Sequence, residues 1–138
     1  MGGGEVPMKE VLTFSIDIID ICEVKGASAV AAMILFTGTA DCKNFQGRIL
    51  PGGVDTQKEW YGSARTLSAR YILEGIDCGG QACRIFVENN GTVGTDIELK
   101  TTPKIITDSK ALAWMEKAHL SGTVVPKEGG VIIHIFDE

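Results

Sequence analysis

Asp55 and Gln57 stand at alternate positions just beyond a stiff break in this 138-residue chain, in the stretch GRILPGGVDTQ from Gly47 to Gln57. Alternate residues of an extended chain point to one face, so a carboxylate and an amide are aimed together. A carboxyl group in a largely apolar pocket has a raised pKa. Proton transfer near neutral pH requires such a group. Asp55 is therefore the candidate catalytic base, with Glu74 or Glu88 as the second choice. The preceding Pro51-Gly52-Gly53 fixes one φ and frees the next two. It is either a plain hairpin turn or rim bulge, or a device that aims Asp55 and Gln57 into an opening. Gly52 and Gly53 would also let a ligand or another chain approach the backbone.

Three further polar residues belong to the same expectation. Arg70 and Glu74 share a face of the segment LSARYILEG, roughly 13 Å apart if that segment is extended, so each needs a partner other than its neighbour. Turned inward, Arg70 would hold Asp55 or a ligand carboxylate through paired hydrogen bonds. The opposite face, Ala69, Tyr71 and Leu73, would make a good core, and the apolar count does not decide between the two. The reading adopted has Arg70 and Glu74 inside. Asn89 ends the apolar face of Ile85 and Val87. It either caps a turn at Asn90-Gly91 or bonds a ligand at a rim beside Glu88.

The elements that carry these residues are mostly strands. In VLTFSIDI the residues Leu12, Phe14, Ile16 and Ile18 alternate with Val11, Thr13, Ser15 and Asp17, as in a half-buried strand. AVAAMILF reads as a strand buried on both faces. CRIFVENN, TDIELKT and GVIIHIF continue the series, with turns at DCGGQA, ENNGT and PKEGG. One segment departs from the pattern. Asp108 to Leu120 carries Leu112, Met115 and Ala118 at helical spacing, which predicts a helix over about residues 109–119 with Trp114 packed. Eight to ten strands in one short chain predict an all-β fold, a closed antiparallel β-barrel with that one helix in its C-terminal half. Residues 1–8 read as a flexible segment and 9–138 as a single domain.

The ordered set GRILPGGVDTQ, ARYILEG, IFVENNG, ALAWM and SGTVVPKEGGVIIHIFDE resembles domain of unknown function family 3237, a group of small bacterial and fungal proteins. That resemblance covers roughly Leu12 to the end. It implies a closed antiparallel β-barrel and no known activity, and it supports Arg70 and Glu74 facing inward.

Composition narrows the partners. Net charge is −5 with no basic stripe, which argues against nucleic acid and anionic membranes. No signal-peptide pattern is seen at the start, so a cytoplasmic protein with Cys22, Cys42, Cys78 and Cys83 as free thiols is expected. The cysteines and the distant His119 and His134 lack zinc-site spacing, and no phosphate loop or nucleophile motif is present. No metal and no cofactor are expected. The expectation is a barrel that binds a small, partly apolar molecule, with acid–base chemistry of an isomerase or hydrolase kind left open. The alternative is a carrier, a sensor or an oligomeric subunit such as a homodimer, with Trp60 and Tyr61 as lid or contact.

Overall fold

The computed structural model describes residues 8–93 and 99–138. The expected flexible segment therefore lies outside the described residues except for Met8, as does most of TDIELKT before Leu99. Among the described residues nine strands run in chain order: β1 Lys9–Lys25, β2 Ala29–Asp41, β3 Phe45–Ile49, β4 Val54–Trp60, β5 Arg65–Asp77, β6 Ala82–Val93, β7 Leu99–Thr107, β8 Leu120–Lys127 and β9 Gly130–Asp137. All pairings are antiparallel. Pairing passes from β1 through β9, β8, β7 and β6 to β5, then through β3 and β4 to β2, and β2 pairs with β1. The fold is all-β and barrel-like. Bulges in β1, between Glu10 and Leu12 and between Ile18 and Asp20, supply local bending and twist.

Sequence alternation explains which face is buried. Leu12, Phe14 and Ile16 of β1 are buried, as are Leu67, Ala69, Tyr71 and Leu73 of β5 and Ile85, Val87 and Asn89 of β6. Removing a Leu or Ile side chain of this kind from water contributes about 1.5–3 kcal/mol. The interior is packed around Phe14, Phe45, Leu73, Ile85 and Ile135.

The Pro51-Gly52-Gly53 break is not a hairpin. β3 and β4 both run antiparallel to β2 on one side and to β5 on the other, so they form one interrupted strand path. Between the pairs Thr39–Arg48 and Leu35–Val54, four steps along β2 match six along β3 and β4. The break therefore inserts two residues. Gly52 takes up the irregularity at φ +110°, a conformation that glycine adopts without steric cost. Gly53 accepts a hydrogen bond from the Phe36 amide at 3.1 Å, and the Leu50 amide donates to Ile72 at 2.8 Å.

The helix over residues 109–119 is not formed. A single 3-10 turn, Ala113–Glu116, stands in its place. Leu112 and Met115 are both buried, and a spacing of three suits a 3-10 turn as well as it suits an α-helix. The polar side chains ahead of this turn bond both locally and across the fold. Ser109 Oγ donates to Asp77 Oδ2 at 2.7 Å and accepts from the Leu112 amide at 3.1 Å, while Asp108 Oδ1 accepts from the Arg84 amide. Trp114 is exposed, not packed.

Two further expectations are corrected. AVAAMILF is not buried on both faces, because Met33 and Leu35 lie on the outer wall and are exposed. ENNGT is not a turn, because β6 continues through it to Val93. A Cβ at Gly91 would lie 3.0 Å from Thr101 Cγ2, so this glycine serves a close approach of β7. The turns after Asp77 and after Lys127 form where DCGGQA and PKEGG predict them.

Candidate functional site

Asp55 and Gln57 point inward from β4, as their alternation implies. They line a cavity of about 200 Å³ whose other walls are mostly apolar, with Ile16, Ile34, Phe36, Leu67 and Ala69 among them. Asn89 of β6 completes the polar lining. The hairpin through Trp60 and Arg65 sets β4 beside β5, pairing Asp55 with Ala69 and Gln57 with Leu67.

One side of the Asp55 carboxylate is engaged and the other is free. Gln57 Nε2 donates to Asp55 Oδ2 at 2.8 Å, and Arg65 Nε donates to Gln57 Oε1 at 2.7 Å. The guanidinium can only donate, so it fixes the orientation of the Gln57 amide. Gln57 must then present its NH2 to Asp55. Asp55 Oδ1 is buried without a hydrogen-bond partner in the protein. Burial raises the Asp55 pKa above the ordinary carboxylate value. The Gln57 hydrogen bond, the Ser68 backbone and the Arg65 charge oppose that rise without cancelling it. The group thus holds a proton to higher pH than a surface aspartate, which suits acid–base work.

Behind this carboxylate lies Tyr71, whose ring meets Phe14 at 5.9 Å and Phe36 at 5.2 Å, both edge to face. Its hydroxyl is buried and has no partner in the protein. Burial, with the Asp55 charge second, pushes its pKa upward, so it remains a protonated donor. Asn89 Oδ1 is buried and unpartnered as well.

The other expected residues lie elsewhere. Arg70 and Glu74 face outward. Ala69, Tyr71 and Leu73 take the interior instead. Arg70 Nε lies 3.6 Å from Glu88 Oε2, and Glu74 Oε2 accepts from Arg84 at 2.8 and 3.0 Å. These outer-wall charges find partners on the strand next door, so nothing draws them into an apolar interior. Glu74, Glu88 and Arg70 are thereby removed from the cavity. Gly52 and Gly53 shape the strand break and do not line it. Asn89 belongs to mid-strand β6, paired with Ala69 and Pro103, and caps no turn.

Arg65 and Tyr71 are the residues the sequence reading missed. Both share the parity of Leu67 and Ala69 in β5, so the correct choice of face would have found them. A larger groove of about 560 Å³ lies over the outer wall at Thr56, Ser68, Arg70, Asn90 and Thr102. It is open and has no carboxylate among its lining residues, so the inner cavity is the better candidate. Among the described residues no cluster of three or more His, Cys, Asp or Glu side chains is disposed to hold a metal ion. No helix among them is long and apolar enough to cross a membrane. The four cysteines are free thiols.

No family model matches the chain. Over 57 residues it is 39% identical to a UPF0311 protein of Clostridium acetobutylicum, a match covering 41% of this chain and 34% of that protein, so it spans about a third of the relative. Among solved structures, a protein with unknown function from Clostridium acetobutylicum superposes with a TM-score of 0.80 at 23% identity, covering 99% of both chains. A beta-barrel-like protein from Acinetobacter baumannii gives 0.79 at 20% identity over 99% of this chain and 98% of its own. An enzyme from Penicillium herquei gives 0.69 at 15% identity over the whole of both chains. At these identities the likenesses establish a shared barrel-like fold.

Proposed function

We propose that this chain is a closed β-barrel that binds a small, partly apolar molecule in the inner cavity, and that Asp55 exchanges a proton with it. The observation that carries this reading is the half-free carboxylate. One oxygen is held by Gln57 and the other is buried, unpartnered and set in an apolar wall. Leaving a buried acceptor without a hydrogen bond costs about 1–3 kcal/mol, and a bound ligand offsets that cost. Resemblance to domain of unknown function family 3237 and likeness to a fungal enzyme are in keeping with it.

A carrier or sensor is the second reading. It is favoured by the packing of most of the interior with Phe, Leu, Ile and Val side chains, which leaves one modest cavity. A thermal-shift screen of a metabolite library on wild type and Asp55→Asn separates a ligand-binding protein from a purely structural one. Ligand at a hundred times its Kd stabilises the fold by about 2.7 kcal/mol. A hit incubated in D2O and followed by NMR then tests the chemistry. Deuterium entering the hit's C–H positions with wild type and not with Asp55→Asn supports acid–base catalysis. Exchange in neither leaves a carrier. A library that shifts neither protein defeats the binding reading.

A further inference from the structure

Asp55, Ala69 and Asn89 stand directly opposite one another on three adjacent strands, and all three line the cavity. Two inter-strand spacings separate the outer pair, about 10 Å between Cα atoms. The residue between them carries only a methyl group. A gap therefore opens above Ala69, with Asp55 on one side and Asn89 on the other.

Two buried side-chain atoms at this gap have no partner in the protein. Asp55 Oδ1 and Asn89 Oδ1 are both acceptors without partners. Gln57, the remaining polar lining residue, is held by Asp55 and Arg65. No lysine or arginine is among the described lining residues, and Arg65 is occupied by Gln57 and lies 3.6 Å from Glu59. A ligand carbonyl or carboxylate set against Asp55 Oδ1 and Asn89 Oδ1 would meet acceptor with acceptor. An ammonium would meet apolar wall on most sides, where burial of charge is costly. A hydroxyl supplies the missing proton donor to these two acceptors. Size bounds the rest of the molecule. A dry cavity of about 150 Å³ takes benzene, so about 200 Å³ suits one ring with a small substituent.

Building on the ligand-binding reading above, we infer that the cavity takes an uncharged, single-ring-sized molecule through its hydroxyl group, which sits over Ala69 between Asp55 and Asn89.

The test uses three probes of nearly one shape: phenol, toluene and benzoate. Each is titrated into the isotopically labelled full chain, and the backbone amide shifts are followed by NMR. Phenol should perturb residues 55, 69 and 89 and bind at least about tenfold more tightly than toluene, as one hydrogen bond to a charged acceptor implies. Benzoate should bind more weakly than phenol. Asn89→Leu should shrink the advantage of phenol over toluene, and Ala69→Leu should fill the gap and abolish phenol binding. If either variant fails to fold, the wild-type comparison decides by itself. Equal binding of phenol and toluene at these residues would overturn the inference while leaving a ligand cavity in place, as would tighter binding of benzoate. Phenol binding that moves other residues, or none at its solubility limit, also overturns it. The library screen then judges the broader reading independently.

Discussion

Tyr71→Phe deletes one oxygen from the interior and leaves the ring. The ring's edge-to-face contacts with Phe14 and Phe36 are made by carbon atoms, so they survive the change. The deleted hydroxyl is buried, unpartnered in the protein and raised in pKa by its surroundings. A buried polar group in that condition costs about 1–3 kcal/mol relative to its hydrated state, so the variant should be more stable by about that amount. For a chain of 138 residues, an unfolding entropy of about 2.1 cal/mol/K per residue amounts to roughly 0.3 kcal/mol/K. The expected rise in Tm is therefore about 3–10 °C. Urea unfolding followed by circular dichroism should show a higher midpoint with an unchanged slope, the mark of a stability change without a change in exposed surface. A lower midpoint would refute the reasoning. It would mean that the hydroxyl is satisfied in the native protein, and that Tyr71 is a structural hydrogen-bonding residue with nothing to spare for a ligand.

Asp55→Asn should change the pH dependence of stability. The folded pKa of Asp55 lies above its unfolded value because of burial, so wild type is favoured below the unfolded pKa of about 3.9 and loses that advantage as pH rises through the folded value. The variant's stability relative to wild type should grow over that window and then level off, as denaturant midpoints measured from pH 4 to 8 would show. Asp77 behaves oppositely. Ser109 first, then the Gln81 and Gly79 amides, hold its carboxyl below the ordinary range, so its contribution is present above the unfolded pKa and is lost as pH falls through the folded one. Ser109→Ala should move acid unfolding, followed by circular dichroism, to higher pH. Thiol titration of native protein should find Cys22 and Cys78 fast and Cys42 and Cys83 slow, in keeping with their exposure. All four should react once the chain is denatured.

The strand content was legible because period-two alternation marks the first half of β1 and most of β5 and β6, and Asp55 and Gln57 share a face for the same reason. The face of β5 was not legible. Arg70 and Glu74 are ordinary outer-wall charges, but the partners that make them so, Glu88 and Arg84, lie on another strand. Only the register reveals them, and spacing along β5 carries no information about β6. The lost helix has a local cause. Three-residue spacing between Leu112 and Met115 does not separate a 3.6-residue period from a 3.0-residue one over so short a segment. At Asn90-Gly91 a strong turn dipeptide yielded to packing, since the glycine admits the backbone of β7 at Lys100 and Thr101.

The glycine pair ahead of Asp55 acts through phase. Ile49 before the break and Asp55 after it both face inward, six positions apart, because the break adds two residues and an even insertion leaves alternation intact. An insertion of one would have turned Asp55 and Gln57 to the outer wall and brought Val54 and Thr56 inside. The stiff Pro51 and the positive-φ Gly52 hold the irregularity to a single place, so β4 re-enters pairing with β2 and β5 in register. The carboxylate thus owes its interior position to the length of the break as much as to its own alternation with Gln57. Its free oxygen follows from Arg65, two strand positions beyond Leu67, which turns the Gln57 amide and leaves Asp55 Oδ1 as the unpartnered atom.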